Sequence, residues 1–226
     1  KGREQMVRER TLKESAYQEI LNGIMDGRHK PEDVLTEGVL MQQYGFKKST
    51  IREALIELCK DNMLESLPRV GYRLKTISLR DLSQLLDFRL MLETHALRKA
   101  FPHYTEERLA ALKERTILDN RDIKIHENDA LSQYWRLNTR FHMGLCEPCG
   151  NRYMCNTLQD LINQCSRCVP EYYRNSWLHS REEEGGTIHI MILDALQSGD
   201  LEKAACCLKD DILQIKYALI TEMAGE

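Results

Sequence analysis

Residues 47–75 read KKSTIREALIELCKDNMLESLPRVGYRLK. Two cations and two hydroxyls (Lys47, Lys48, Ser49, Thr50) head a segment in which Ile51, Ala54, Leu55, Leu58 and Cys59 recur at helical spacing. The spacing predicts a helix that starts near Ser49 or Thr50, buries that stripe and carries Arg52 on the opposite face. MLESL (63–67) and GYRLKTI (71–77) then read as two short strands, with PRVG (68–71) as the turn between them. The basic residues therefore fall at a helix start and again on a small hairpin.

Upstream, Ala16, Tyr17, Ile20, Leu21, Ile24 and Met25 predict a first helix over 11–26, closed by Gly27 with Pro31 just beyond. Thr36 reads as the N-cap of a second helix, which places Val39, Leu40 and Met41 near the core and stops at Gly45. Three helices and a hairpin make the winged helix-turn-helix plan. Downstream of Ile77 the strand signals cease. Six helical stretches follow, at 79–101, 105–120, 126–147, 151–174, 180–197 and 200–222, with Ser78 and Thr105 as caps and breaks at Gly150, Gly185-Gly186 and Gly199. The expected chain is mainly α: a winged helix-turn-helix domain over 1–77 and an all-α bundle over 78–226, a typical domain size.

Composition narrows the classes. The 226 residues are 42% hydrophobic and 30% charged, ordinary for a soluble globular protein. No apolar run approaches the roughly 20 residues that span a bilayer, so no membrane is expected as a partner. KGREQMVRER at the start has no export-signal core, and a cytoplasmic location is the expectation. In that compartment the eight cysteines would be reduced thiols. The net charge of −3 divides into +2 for residues 1–76 and −5 for residues 77–226. So small a difference leaves the case for DNA to local clustering.

That clustering suits a duplex. The second helix of a helix-turn-helix enters the major groove at its N-terminal end. Ser49 and Thr50 allow close approach and donate to phosphate, and exposed backbone amides favour an anion. Lys47, Lys48 and Arg52 supply reach, and arginine matches guanine bidentately. Arg69 on the wing would sit beside the minor groove or its phosphates, and Gly71 would keep the tip slim. The plain alternative is a solvated basic helix face.

Residues 11–77 resemble the winged-helix domain of the GntR family of bacterial transcription regulators. The matching stretches are AYQEILNGIMDGRHKPEDVLTE, YGFKKSTIREALIELCKDNMLES and RVGYRL, and STIREAL resembles the family's recognition-helix signature. The resemblance implies a dimer that binds a double-stranded DNA operator as repressor or activator. Lys47-Lys48 stands where the family has Ser-Arg, Thr50 where proline is frequent, and Gly38 where many members carry arginine. These departures bear on which bases are read, since lysine offers a point charge rather than a fork.

DLSQLLDFRLMLETHALRKAF, LNTRFHMGLCEPCGN and IHIMILDALQSGDLEKA resemble landmarks of the FCD effector domain of the FadR-like branch, and about six helices match its shorter, VanR-like version. Asn138 and His142 share a helix face at i,i+4, His189 lies on a later helix and Asp211 on the last. Many FCD domains hold a divalent metal with an Asp and three His. By register, Asn138 takes the place of that Asp and Asp211 that of the third His. The resemblance implies a zinc, nickel or manganese site whose open positions suit a small effector, an organic or sugar acid. Arg89, with Glu93 at i+4, resembles a further landmark and is the candidate for the effector's carboxylate. The alternatives are core histidines with satisfied hydrogen bonds and a salt-bridged helix face. Tyr134, Trp135 and Phe141 flank the site in sequence and read first as core.

Cys146-x-x-Cys149 and Cys165-x-x-Cys168 match a zinc-ribbon spacing. If 151–174 is one helix, however, Cys165 stands about 20 Å along it from Cys149, too far for four sulfurs on one zinc. A thiol- or metal-responsive regulator using one such pair is the alternative function, and buried small hydrophobes the plain reading. An enzyme is not expected, because no nucleophile motif, glycine-rich phosphate loop or paired-carboxylate signature accompanies the histidines. A purely helical scaffold leaves the Lys47–Arg52 cluster unexplained.

Overall fold

A computed structural model describes residues 11–122, 130–168 and 187–224. The chain falls into two compact units, Lys1–Lys75 and Thr76–Glu226.

In the first unit, α1 (Leu12–Met25) is fixed at its start by a capping box: Glu14 N–H donates to Thr11 Oγ1 at 3.2 Å, and Thr11 N–H to Glu14 Oε2 at 2.8 Å. Thr36 accepts from Val39 N–H at 3.3 Å to start α2 (Glu37–Tyr44), which ends at Gly45 in the left-handed region, φ 73°. α3 spans Lys48–Lys60. β1 (Leu64–Leu67) pairs antiparallel with β2 (Gly71–Leu74), Leu64 opposite Leu74. Leu35 extends this hairpin by exchanging two backbone hydrogen bonds with Tyr72, each 2.8 Å. Ile20 and Ile24 of α1, Leu40 of α2, Ile51, Leu55 and Leu58 of α3, and Leu64 of β1 fill one core. The expected winged helix-turn-helix is the architecture found.

Three details differ from expectation. α3 begins at Lys48, with Lys47 at the N-cap and no side chain capping it. Ser49 and Thr50 therefore lie inside the first turn. Val39 faces solvent, because in the two-turn α2 Leu40 is the residue turned into the core. Gly71 is not the slim tip of the wing. It opens β2 at φ 152°, and a Cβ there would stand 2.5 Å from Leu35 O. Glycine lets the hairpin close on the Leu35 segment, while Pro68, Arg69 and Val70 form the tip, Arg69 at φ 66°.

The second unit contains α4 (Leu79–Ala100), α5 (Glu106–Asp122), α6 (Ala130–Cys146), α7 (Arg152–Cys165), α8 (Thr187–Gln197) and α9 (Leu201–Ala224), with single 3-10 turns at Phe101–His103, Glu147–Cys149 and Ser166–Cys168. Ser78 and Thr105 act as caps, accepting from Asp81 N–H at 3.1 Å and Arg108 N–H at 3.2 Å. α4 packs on α6, α7 and α9, and α8 and α9 form a hairpin. The expected helical segments at 126–129, 169–174 and 180–186, and the break at Gly185-Gly186, lie outside the described residues. Among the described residues no helix is long and apolar enough to cross a membrane.

Candidate DNA-reading surface and candidate effector site

The start of α3 presents Lys47, Lys48, Ser49 and Arg52 to solvent, with Thr50 half-buried. Arg52 is not idle there. Its Nε donates to Glu37 Oε1 at 2.6 Å and its Nη2 to Glu37 Oε2 at 3.1 Å, and Lys48 Nζ lies 3.6 Å from the same Oε2. The Arg52 hydrogen bonds hold the Glu37 carboxyl below the usual carboxylate range, with the Lys48 charge adding to them. Sequence spacing gave no hint of Glu37. It sits on the other helix of the pair, fifteen residues away, and only the turn between α2 and α3 brings it over. Arg69 is exposed at the wing tip, while Arg73 is tied to Glu65 directly across the hairpin.

The second site is built inside the helical unit. Arg89 and Glu93 come from α4, Asn138 and His142 from α6, His189 from α8 and Asp211 from α9. Of the two readings of Arg89, an effector's partner or one half of a salt bridge with Glu93, the structure shows the salt bridge, but in the core: Arg89 is 1% exposed, and its Nε donates to Glu93 Oε1 at 2.5 Å. The other Glu93 oxygen lies 2.6 Å from His142 Nδ1. His142 Nε2 then lies 3.0 Å from Asp211 Oδ2, and His189 Nε2 3.3 Å from Asp211 Oδ1. The His189 ring is stacked on Phe141, centroids 3.8 Å apart. One line of polar groups thus runs from Arg89 through Glu93 and His142 to Asp211 and His189; the i,i+4 spacing pairs Glu93 with Arg89, but nothing in the sequence ties it to His142.

Burial alone would raise the Glu93 carboxyl, but Arg89 and His142 hold it below the usual range. Burial would likewise lower His142, yet the Glu93 and Asp211 carboxylates raise it. Asp211, half-buried, is held far below the usual range by the two histidines, against the opposing effect of desolvation.

Among the described residues, three buried side-chain nitrogens lack a hydrogen-bond partner: Arg89 Nη2, His142 Nε2 and His189 Nε2. The two imidazole nitrogens are close to Asp211 but not aligned to donate to it. Two donors each about 2.05 Å from one cation stand about 2.9–3.4 Å apart for angles between 90° and 109°. The 3.0 Å and 3.3 Å separations fall in that interval. Among the described residues, His142, His189 and Asp211 are the His, Cys, Asp or Glu groups whose ligand atoms lie close enough to share an ion, all within 4.8 Å of one another. The donor set fits a divalent metal. Asn138 is buried one turn before His142 on the same helix.

The cysteines do not join this cluster. Cys146, Cys149 and Cys165 are buried, and the Cys168 side chain lies outside the described residues. Burial pushes the Cys146 thiol well above its ordinary value and that of Cys165 up to about 11, against the thiolate character that a sensing pair requires.

Residues 84–213 match the FCD domain, and residues 12–74 match the bacterial regulatory proteins of the gntR family. The chain belongs to the GntR family, in its FCD-bearing branch. It is a DNA-binding transcription regulator with an effector-binding domain, and not an enzyme. Among its relatives, the uncharacterized HTH-type regulator YdhC of Bacillus subtilis is 30% identical over 66% of this chain and 67% of its own. The repressor GlaR of Escherichia coli is 23% identical over 92% of this chain and 96% of its own. The solved structure of E. coli McbR/YncC shares the fold, with a TM-score of 0.78 at 20% identity, covering 95% of this chain and all of that one.

Proposed function

We propose that this GntR regulator is a repressor that binds a palindromic operator as a homodimer and is controlled by a small carboxylate effector held, with a divalent metal, inside the FCD unit. On this reading Lys47, Lys48, Ser49, Thr50 and Arg52 enter the major groove and Arg69 follows the flanking backbone. The two recognition helices of the dimer stand about 34 Å apart, one turn of DNA. α4 leaves Phe88 and Met91 exposed at one-turn spacing, an apolar strip suited to a second copy. The repressor sense follows the name of GlaR.

The observation that carries the effector reading is the set of orphaned buried nitrogens. Arg89 Nη2 has no hydrogen-bond partner, and two imidazole nitrogens face the Asp211 carboxylate at 3.0 Å and 3.3 Å without a hydrogen bond, so this core is short of partners at several points at once. His142, His189 and Asp211 would hold the metal, with Asn138 as a fourth donor. A bound zinc, nickel or manganese supplies positive charge and open positions for an oxygen ligand. Arg89 donates from Nη2 to the effector's carboxylate, and Glu93 keeps both Arg89 and His142 oriented. An effector that binds one arrangement of the dimer better than another shifts the population and so the operator affinity.

The test is a thermal-shift screen of organic and sugar acids, with and without added divalent metal, on the native chain and on His142→Ala. The melting point should rise with metal, and rise further with one class of acid only when metal is present. His142→Ala should lose the metal response. An unchanged response in that variant would rule out this site.

A further inference from the structure

Glu37 opens α2 and reaches across the helix-turn-helix to Arg52. A guanidinium has two forked edges. The side edge pairs Nε–H with one Nη2–H, and Glu37 takes that edge with both carboxylate oxygens, at 2.6 Å and 3.1 Å. The end edge carries one N–H from each Nη. It lies at the far end of a side chain that is 56% exposed. Guanine offers O6 and N7 as adjacent acceptors in the major groove, and an arginine end edge matches both. An unrestrained arginine loses rotamer freedom when it makes that contact. Arg52, gripped from the side, has lost part of it already.

We infer that Glu37 is a positioning residue for base recognition: it aims the end edge of Arg52 at a guanine, so that preference at one position of each half-site depends on a side chain that touches no base. The inference rests on the placement of α3 in the major groove. A simpler role exists for the same pair, since an acidic residue in the first turn of a helix is favourable in its own right and exposed ion pairs are common. The two roles separate cleanly. A brace changes melting temperature and leaves base preference alone. A positioning carboxylate does the reverse. It also repels phosphate, being 3.6 Å from Lys48 Nζ, so its neutralisation should strengthen binding to any duplex while weakening discrimination.

The experiment selects duplexes from a randomised pool with the full chain, then measures affinity for the selected site and for the same site with each guanine replaced. Wild type should show a guanine in each half-site whose replacement is discriminated, and Arg52→Ala should lose that discrimination. Glu37→Gln should reduce it about tenfold, with higher affinity for unrelated duplex and an unchanged melting temperature. Preference retained within twofold in Glu37→Gln overturns the inference, with or without a drop in melting temperature. So does loss of a cytosine preference that Arg52→Ala keeps, because Glu37 would then be reading a base itself. If Arg52→Ala and Lys48→Ala both bind the selected site as wild type does, the failure belongs to the placement of α3.

Discussion

The molecule contains two Arg–Glu pairs of nearly the same local chemistry in opposite surroundings. Arg52–Glu37 joins two helices of the winged unit in water, while Arg89–Glu93 joins two turns of α4 in the core of the helical unit, at 1% and 0% side-chain exposure. In water the pair adds little to stability, and its arginine can exchange one partner for another at low cost. In the core, both charges have left water and every N–H needs a partner. Glu93 has two, Arg89 and His142, but Arg89 still has Nη2 unpaired. The exposed pair is poised to present a side chain. The buried pair is incomplete without something else.

The largest expected effect tests that contrast by breaking each pair in turn. Glu93→Ala strands Arg89 as a buried, unpaired charge and removes the partner of His142 Nδ1. It should cost roughly 3–5 kcal/mol, lowering the melting temperature by roughly 10 °C. Glu37→Ala should leave the melting temperature where it is. Equal shifts in the two variants, read by calorimetry, would mean that burial does not separate the pairs.

The next effect is on DNA rather than stability. Arg52→Ala should weaken binding to a selected operator by about tenfold to a hundredfold, with the fold intact by circular dichroism. Arg89→Ala should leave base preference at every position unchanged, although it unsettles the core. A change in base preference from Arg89→Ala would show that the two pairs are not independent in function.

How far the sequence disclosed these sites follows from how each is made. Helical periodicity marked α1 and α3 because Ile20, Ile24, Ile51, Leu55 and Leu58 repeat along one segment each. α3 opens at Lys48, one residue ahead of Ser49, because Lys47 takes the cap position without a side-chain bond that a sequence pattern could announce. Asn138 and His142 declared themselves by i,i+4 spacing, whereas the tie of His142 to Glu93 spans 49 residues and comes only from packing α6 on α4. Glu37 was missed for the same reason. Periodicity reports which residues share a face of one element; it carries no information on which residue of another element arrives opposite.

The smallest expected effect extends the contrast to groups that are buried neutral. In the winged unit His29 lies 2.7 Å from the Tyr44 hydroxyl, beneath Gly23, where any Cβ would strike both side chains. Burial lowers the His29 pKa, Arg28 lowers it further, and Asp33 offsets part of the shift. The folded state thus takes up a proton less readily than the unfolded chain, whose histidine titrates near 6.5. The stabilisation from neutral His29 is complete above that value and is lost as the pH falls through the lower folded-state value. The winged unit should therefore melt at a lower temperature at pH 5.5 than at pH 7, and His29→Gln should flatten the difference. Asp26, Arg28, Asp33 and Glu19 also face this pair, and a slope that survives His29→Gln would have to come from groups other than His29.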